Sequence, residues 1–143
     1  MERTDIQKAA MLFGIVFLIV TVLGFIPGIT TDYDRLTTFD AVGAQIFGIF
    51  GVNILENIVH LLFGVAGLVA AATWAASRTY FIVGGIVYLA VWLYGLLIDL
   101  SSSANFIGVN DAANWLHFAL GVVFLLVFFA LGRTAPATRT AAV

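Results

Sequence analysis

Gly51-Val52-Asn53-Ile54-Leu55-Glu56-Asn57-Ile58-Val59-His60 opens an apolar run that continues to Trp74. Gly108-Val109-Asn110-Asp111-Ala112-Ala113-Asn114-Trp115-Leu116-His117 opens another, which continues to Leu131. Both read G-V-N-x-x-x-N-x-x-H, and both go on to a Gly-Val pair, at 64–65 and 121–122. Seven identities therefore recur 57 positions apart, and they take in both histidines of the chain. As a helix, each run matches the roughly 20 apolar residues that a hydrocarbon core about 30 Å thick requires.

Two further runs have the same character. Four spans result: about Ala9 to Ile26, Ile54 to Trp74, Tyr80 to Ile98, and Ala112 to Leu131. Open strands would leave backbone groups unpaired in lipid. The strands of a barrel would alternate in short segments, whereas these runs are continuously apolar. The composition agrees: of 143 residues, 62% are hydrophobic and 10% charged. A soluble domain is about half apolar and about a quarter charged, and a small one cannot hide more apolar surface than that. The sequence thus describes an all-α integral membrane protein, a four-helix bundle, with the lipid bilayer as its first partner. Most soluble enzymes and disordered regulators are excluded. A net charge of −2 with only six Lys and Arg leaves no basic patch for nucleic acid. With no Cys there is neither a disulfide framework nor a thiolate metal site.

Basic residues set the expected orientation. Arg3 and Lys8 precede the first span, Arg78 lies between the second and third, and Arg133 and Arg139 follow the fourth; only Arg35 is on the other side. The positive-inside rule puts both termini in the cytoplasm of a multi-pass cell-membrane protein. Asp32, Asp34, Asp40 and Asp111 then fall outside. The first span is too long for a signal-peptide core and has no small-x-small cleavage site after it, so it is read as a retained anchor. Phe25-Ile26-Pro27-Gly28 reads as its end and turn. Residues 27–53 form a long outer loop. Its apolar stretch, Ala41 to Phe50, is expected to be an interfacial helix or a re-entrant segment. Ala75-Ala76-Ser77-Arg78-Thr79 is expected to be a tight inner connection, making spans two and three antiparallel neighbours. The tail from Thr134 to Val143 is expected to fray.

Spans one and three align as well. Gly14-Ile15-Val16 matches Gly85-Ile86-Val87 and Gly24 matches Gly95, at 71 positions. The chain therefore reads as two helical hairpins, 1–76 and 77–143, in a parallel repeat with a pseudo-two-fold axis along the membrane normal.

The repeated residues are the candidates for function. Asn53 and Asn110 are placed to be helix N-caps, and Glu56, three residues after Asn53, to complete a capping box. Asn57, His60 and Gly64 share one helix face, as do Asn114, His117 and Gly121. At about 1.5 Å per residue, each His lies roughly 10 Å into its helix, and the pseudo-axis would let the two face each other. Two readings stand side by side. Asn and His can be polar glue, bonding across helices that glycine brings close. Ionisable residues inside a membrane can instead mark an ion, proton or cofactor site. On that reading His60 and His117 are haem ligands, metal ligands with Glu56 or Asp99, or proton carriers. Asp99, followed by Ser101-Ser102-Ser103, is either a polar helix end or a carboxylate that orients a His. Tyr88, Trp92 and Tyr94 suggest packing or a lipid-facing surface. Trp115, Trp74 and Tyr80 fit aromatic belts, and Phe124, Phe128 and Phe129 read as lipid-facing bulk. Small-residue faces such as Gly64/Gly67 and Gly84/Gly85 leave a homo-oligomer or a membrane-protein partner open. No P-loop, nucleophile elbow or H-E-x-x-H is present, which argues against an ATP-driven machine or a classical protease.

Residues 51–68 and 114–122 resemble a family of small four-helix membrane proteins of bacteria and archaea, catalogued as domain of unknown function four-three-eight-three. The N-x-x-H-L/F-x-x-G pieces are the most specific part, and the likeness extends from the first span to the fourth. The resemblance implies four helices and no established activity. It also implies a further His at the position of Glu56, a departure that weighs against a metal site here. The layout is similar, more distantly, to DoxX-like membrane proteins. Together these readings describe a non-enzymatic scaffold or accessory protein; the alternative is a redox or transport component built on His60 and His117.

Overall fold

A computed structural model of the chain describes residues 2–39 and 43–133. Asp40 and the start of the apolar loop stretch, and the tail with Arg139, lie outside the described residues. Four helices carry the fold: α1 (Asp5–Leu23), α2 (Ile54–Ala70), α3 (Trp74–Leu97) and α4 (Asp111–Leu131). Among them, α1, α3 and α4 are long and apolar enough to cross a membrane, and α2 is a shorter apolar helix of 17 residues. Large apolar side chains such as Val22, Ile19, Val69 and Leu126 are exposed on their outer faces. In water such a surface would drive association; in lipid it is the expected solvent-facing side, and the chain is a membrane protein.

Local chemistry sets the helix ends. Thr4 precedes α1, and its backbone N–H donates to Gln7 Oε1 at 3.0 Å. The Gln7 amide also donates to Ala71 O, tying the start of α1 to the end of α2. The inner connection is only Ala71–Thr73, since α3 begins at Trp74. The expected connection at 75–79 is thus helical. Thr73 is the reason: its Oγ1 accepts from Ala76 N–H and starts the helix early.

The long outer loop also departs from expectation. It holds β1 (Thr30–Thr31), a short 3-10 turn at Tyr33–Arg35, β2 (Ala44–Ile46) and β3 (Phe50–Val52), paired antiparallel in the order β1-β2-β3. No helix forms at 44–50. Phe47 and Gly48, both at positive φ, turn the chain between β2 and β3, and a helix cannot pass through that pair. Ala44, Ile46 and Val52 face inward and form a small core with Val20 and Leu36. The second outer loop is organised by Asn105, fully buried, whose side chain bonds both N–H and C=O of Val109.

Glycines allow the helices of each hairpin to touch. A Cβ on Gly14 would lie 2.8 Å from Leu68 N and 2.9 Å from Gly64 O, so α1 and α2 meet backbone to backbone. In the other hairpin, a Cβ on Gly85 would meet the Leu125 side chain and Gly121 O. An aromatic core joins the two hairpins, with Phe17, Phe81, Tyr88 and Phe124 at its middle. Phe124 and Phe128 therefore pack inside rather than against lipid, and so does Tyr80, whereas Phe129 is exposed.

Candidate functional site: a buried carboxylate–imidazole pair beneath a cleft

Asn53 and Asn110 stand at the outer ends of α2 and α4. Asn53 Oδ1 accepts from Glu56 N–H at 2.9 Å, and Asn110 Oδ1 accepts from Ala113 N–H at 2.9 Å. Each amide also reaches across the bundle. Asn53 Nδ2 donates to Phe106 O at 2.8 Å, and Asn110 Nδ2 donates to Ile49 O at 2.8 Å. The approach is close because Gly108 lies against Asn53 and Gly51 against Asn110. Gly108, at φ 72°, also needs the left-handed conformation that glycine tolerates.

The expected capping box at Asn53 is only half formed. The Glu56 side chain turns away from the cap and into the bundle, where its Oε1 lies 3.1 Å from His117 Nε2. A carboxylate only accepts, so Nε2 is the donor. Both side chains are 8% exposed. The pair bridges α2 to α4. His60, one turn after Glu56, stacks on Phe17 with ring centroids 6.0 Å apart. Phe17 stacks in turn on Tyr88, and Tyr88 leans on His117 at 5.4 Å. The two imidazoles thus flank a pair of aromatic rings. Glu56 Oε2, His60 Nδ1, His117 Nδ1 and the Tyr88 hydroxyl are buried without hydrogen-bond partners among the described residues.

Above this centre lies a cavity of about 450 Å³ between α1 and α4. Leu12, Val16, Leu116 and Leu120 line its sides, and Phe47 and Phe50 of the β2–β3 hairpin line its outer end. Among the described residues, Glu56, His60 and His117 are the only ionisable ones that line it. A second cavity, about 80 Å³, lies between α2 and α3 and is lined by the same three residues.

The other sequence candidates fall elsewhere. Asn57 is fully buried against Gly24, and Asn114 against Gly95; a Cβ on either glycine would collide with the amide. Among the described residues, the side-chain atoms of Asn57 and Asn114 Oδ1 have no hydrogen-bond partner, and both side chains pack across the seams. Asp99 does not join the histidines. It is exposed at the end of α3, where Ser101 donates to it from side chain and backbone. Those bonds hold its carboxyl below the usual range. The expectation that Asp99 orients a His thus gives way to Glu56, which is in the first turn of α2 and reaches His117 of α4. Among the described residues no three His or acidic side chains converge to hold a metal. As for haem, His117 commits Nε2 to Glu56, which leaves Nδ1 as its unpartnered ring nitrogen among the described residues. Phe17 and Tyr88 were not legible as site residues by type; their equivalence at 71 positions was the available signal.

The family model described as Domain of unknown function (DUF4383) matches residues 7–130. No curated protein and no solved structure matches the chain, and the DoxX-like likeness finds no support.

Proposed function

Because the chain belongs to the DUF4383 family, whose description assigns no activity, we propose a function from the geometry: binding a lipid-soluble small molecule between α1 and α4. The observation that carries this reading is the Glu56–His117 pair at the floor of a cavity with otherwise apolar walls. Burying such a pair is poor value for stability alone, since apolar replacements of similar volume are often neutral or stabilising. An apolar pocket with a few convergent polar groups is the usual form of a ligand site, and ionisable residues within a membrane mark function by default. The ligand class follows from the walls. An acyl or isoprenyl tail suits Leu12, Val16, Leu116 and Leu120, and a small hydroxyl or carbonyl head suits Glu56 and the imidazoles. The β2–β3 hairpin covers the outer end, so the route in is sideways, from the bilayer.

The protein is on this reading a multi-pass, non-enzymatic accessory protein of the cell membrane with both ends in the cytoplasm. Arg3, Lys8, Arg78 and Arg133 cluster at one end of the bundle, where Arg78 lies over Trp74 and Phe128, and Arg35 is at the other. A second reading, helix glue, draws support from the Glu56–His117 bridge itself.

The test is purification in mild detergent, followed by native mass spectrometry, solvent extraction, absorption spectroscopy and metal analysis of the same sample. The expected result is one retained lipid-soluble molecule per chain, lost in Leu120→Trp and weakened in Glu56→Gln. A folded protein that retains nothing and takes up no added hexadecanol would leave only the glue. A haem band or stoichiometric metal lost in His60→Ala or His117→Ala would replace both readings with a cofactor protein.

A further inference from the structure

The two cavities are counterparts. Val16, Val20 and Leu116 line the open cleft; Val87, Val91 and Val59, their equivalents at 71, 71 and 57 positions, line the small one. Phe50 of the first outer loop likewise corresponds to Ile107 of the second. His60 and His117 exchange places under the same operation, and each touches both cavities.

Two differences place the larger residue on the small cleft, whereas Leu116, Phe50 and Phe13 of the open cleft correspond to the smaller Val59, Ile107 and Gly84. Leu120 of the open cleft corresponds to Phe63, and Phe17 corresponds to Tyr88. The Phe63 ring lies 5.1 Å from the Tyr88 ring, centroid to centroid, and reaches Gly84 of α3. Gly84 stands where the open cleft has Phe13. The Phe63 ring thus occupies the α2–α3 side, where about 80 Å³ remains, against about 450 Å³ between α1 and α4.

We infer that the fold offers two equivalent clefts around one shared polar centre, and that Phe63 confines the ligand to the one between α1 and α4. The occupied class is the one proposed above, a single-tailed molecule with a hydrogen-bonding head, and the inference rests on that reading. Phe63 acts by volume: it fills the path that the tail would take along Val87 and Val91. Leu120, shorter at the equivalent place, leaves the path along Val16 and Val20 free.

The experiment exchanges the two residues. Full-length protein in phosphatidylcholine nanodiscs is given hexadecanol carrying a diazirine in its chain. Native mass spectrometry counts bound probe, and peptide mapping after photolysis locates it. Wild type should hold one probe, cross-linked to the segment with Leu12 and Val16. Phe63→Leu should hold two, the second cross-linked near Val87 and Val91. Leu120→Phe should hold none, and the double variant should hold one, moved to α3. Phe63→Ala provides the same opening if the Leu variant does not fold. A folded Phe63→Leu or Phe63→Ala protein that still holds one probe, on α1 alone, overturns the inference; so does a Leu120→Phe protein that labels α1 undiminished. Absence of probe from wild type and from the opened variants alike overturns the binding reading first. Labelling of α3 by an opened variant alone would uphold the second cleft while refuting the first.

Discussion

The seam between α1 and α2 and the seam between α3 and α4 place glycines at equivalent positions but close in different ways. At the first, Gly67 lies so near Gly14 that an added Cβ would be 2.8 Å from Gly14 Cα. At the equivalent place in the second stands Phe124, fully buried, with its ring against Gly84. Gly84 in turn occupies the place that Phe13 holds in α1. Each seam thus has one glycine and one phenylalanine, contributed by opposite helices. The two rings meet in the middle of the bundle, edge to face at 5.1 Å. Volume is conserved while its source changes, the kind of exchange that packed interiors tolerate best. The polar centre differs more sharply, because Ala113 stands where Glu56 would recur. One carboxylate stands near two imidazoles, and it pairs with His117.

That asymmetry gives the largest expected effect. Glu56→Ala leaves His117 buried without its partner and should cost about 3–5 kcal/mol, read from unfolding in mixed micelles. Adding Ala113→Glu should recover part of the loss through His60, the counterpart of His117. A double variant no more stable than Glu56→Ala would break the equivalence of the two sides. Next come the seams. Gly67→Leu and Gly85→Leu should each cost about 1–3 kcal/mol by overpacking. Gly67→Leu should be the worse of the two, since it meets backbone where Gly85→Leu meets the movable end of Leu125. Asn53→Ala should lose about 1–2 kcal/mol, from a cap and a cross-loop bond together. Asn110→Ala should lose less, because Asn53 is 2% exposed whereas the Asn110 cross-loop bond lies at the surface.

Asp99→Asn should change least, and hydrogen exchange of residues 99–105 is the measurement sensitive enough to see it. The Asp99 carboxyl is held low in the folded state by Ser101. Its stabilisation is therefore present above the ordinary carboxylate pKa and fades as pH falls through the depressed folded value. Loop protection in wild type should weaken on acidification, and the Asn variant should lose that pH dependence.

The helices were legible because lipid demands long apolar runs, and Asn53 and Asn110 announce two of their starts. Which face of a helix is buried was not legible. Membrane helices are apolar on all sides, so Phe124 and Phe129 look alike in sequence although one is core and the other is exposed. The strands at 44–46 and 50–52 are too short to show a period, and the turn at Phe47-Gly48 uses a phenylalanine at positive φ, which no turn rule anticipates. Glu56 carried two meanings at once. Its spacing from Asn53 fits a capping box, and only the position of α4 decides that the carboxylate goes to His117 instead. Asp99 misled for the converse reason: next to a helix end it has Ser101 within two residues, and local bonds win over distant partners.

The crossed bonds of Asn53 and Asn110 have a mechanical consequence. Each caps its own helix and holds the loop that leads into the other. Drawing α4 out of the bundle by its C-terminal end would strip Ile49 of its donor, and with the Phe106 carbonyl gone Asn53 would lose its grip on the second loop. The outer ends of α2 and α4 should then yield in one rip under force, as a clasp does, and a folding chain should gain little from closing either side before both have arrived.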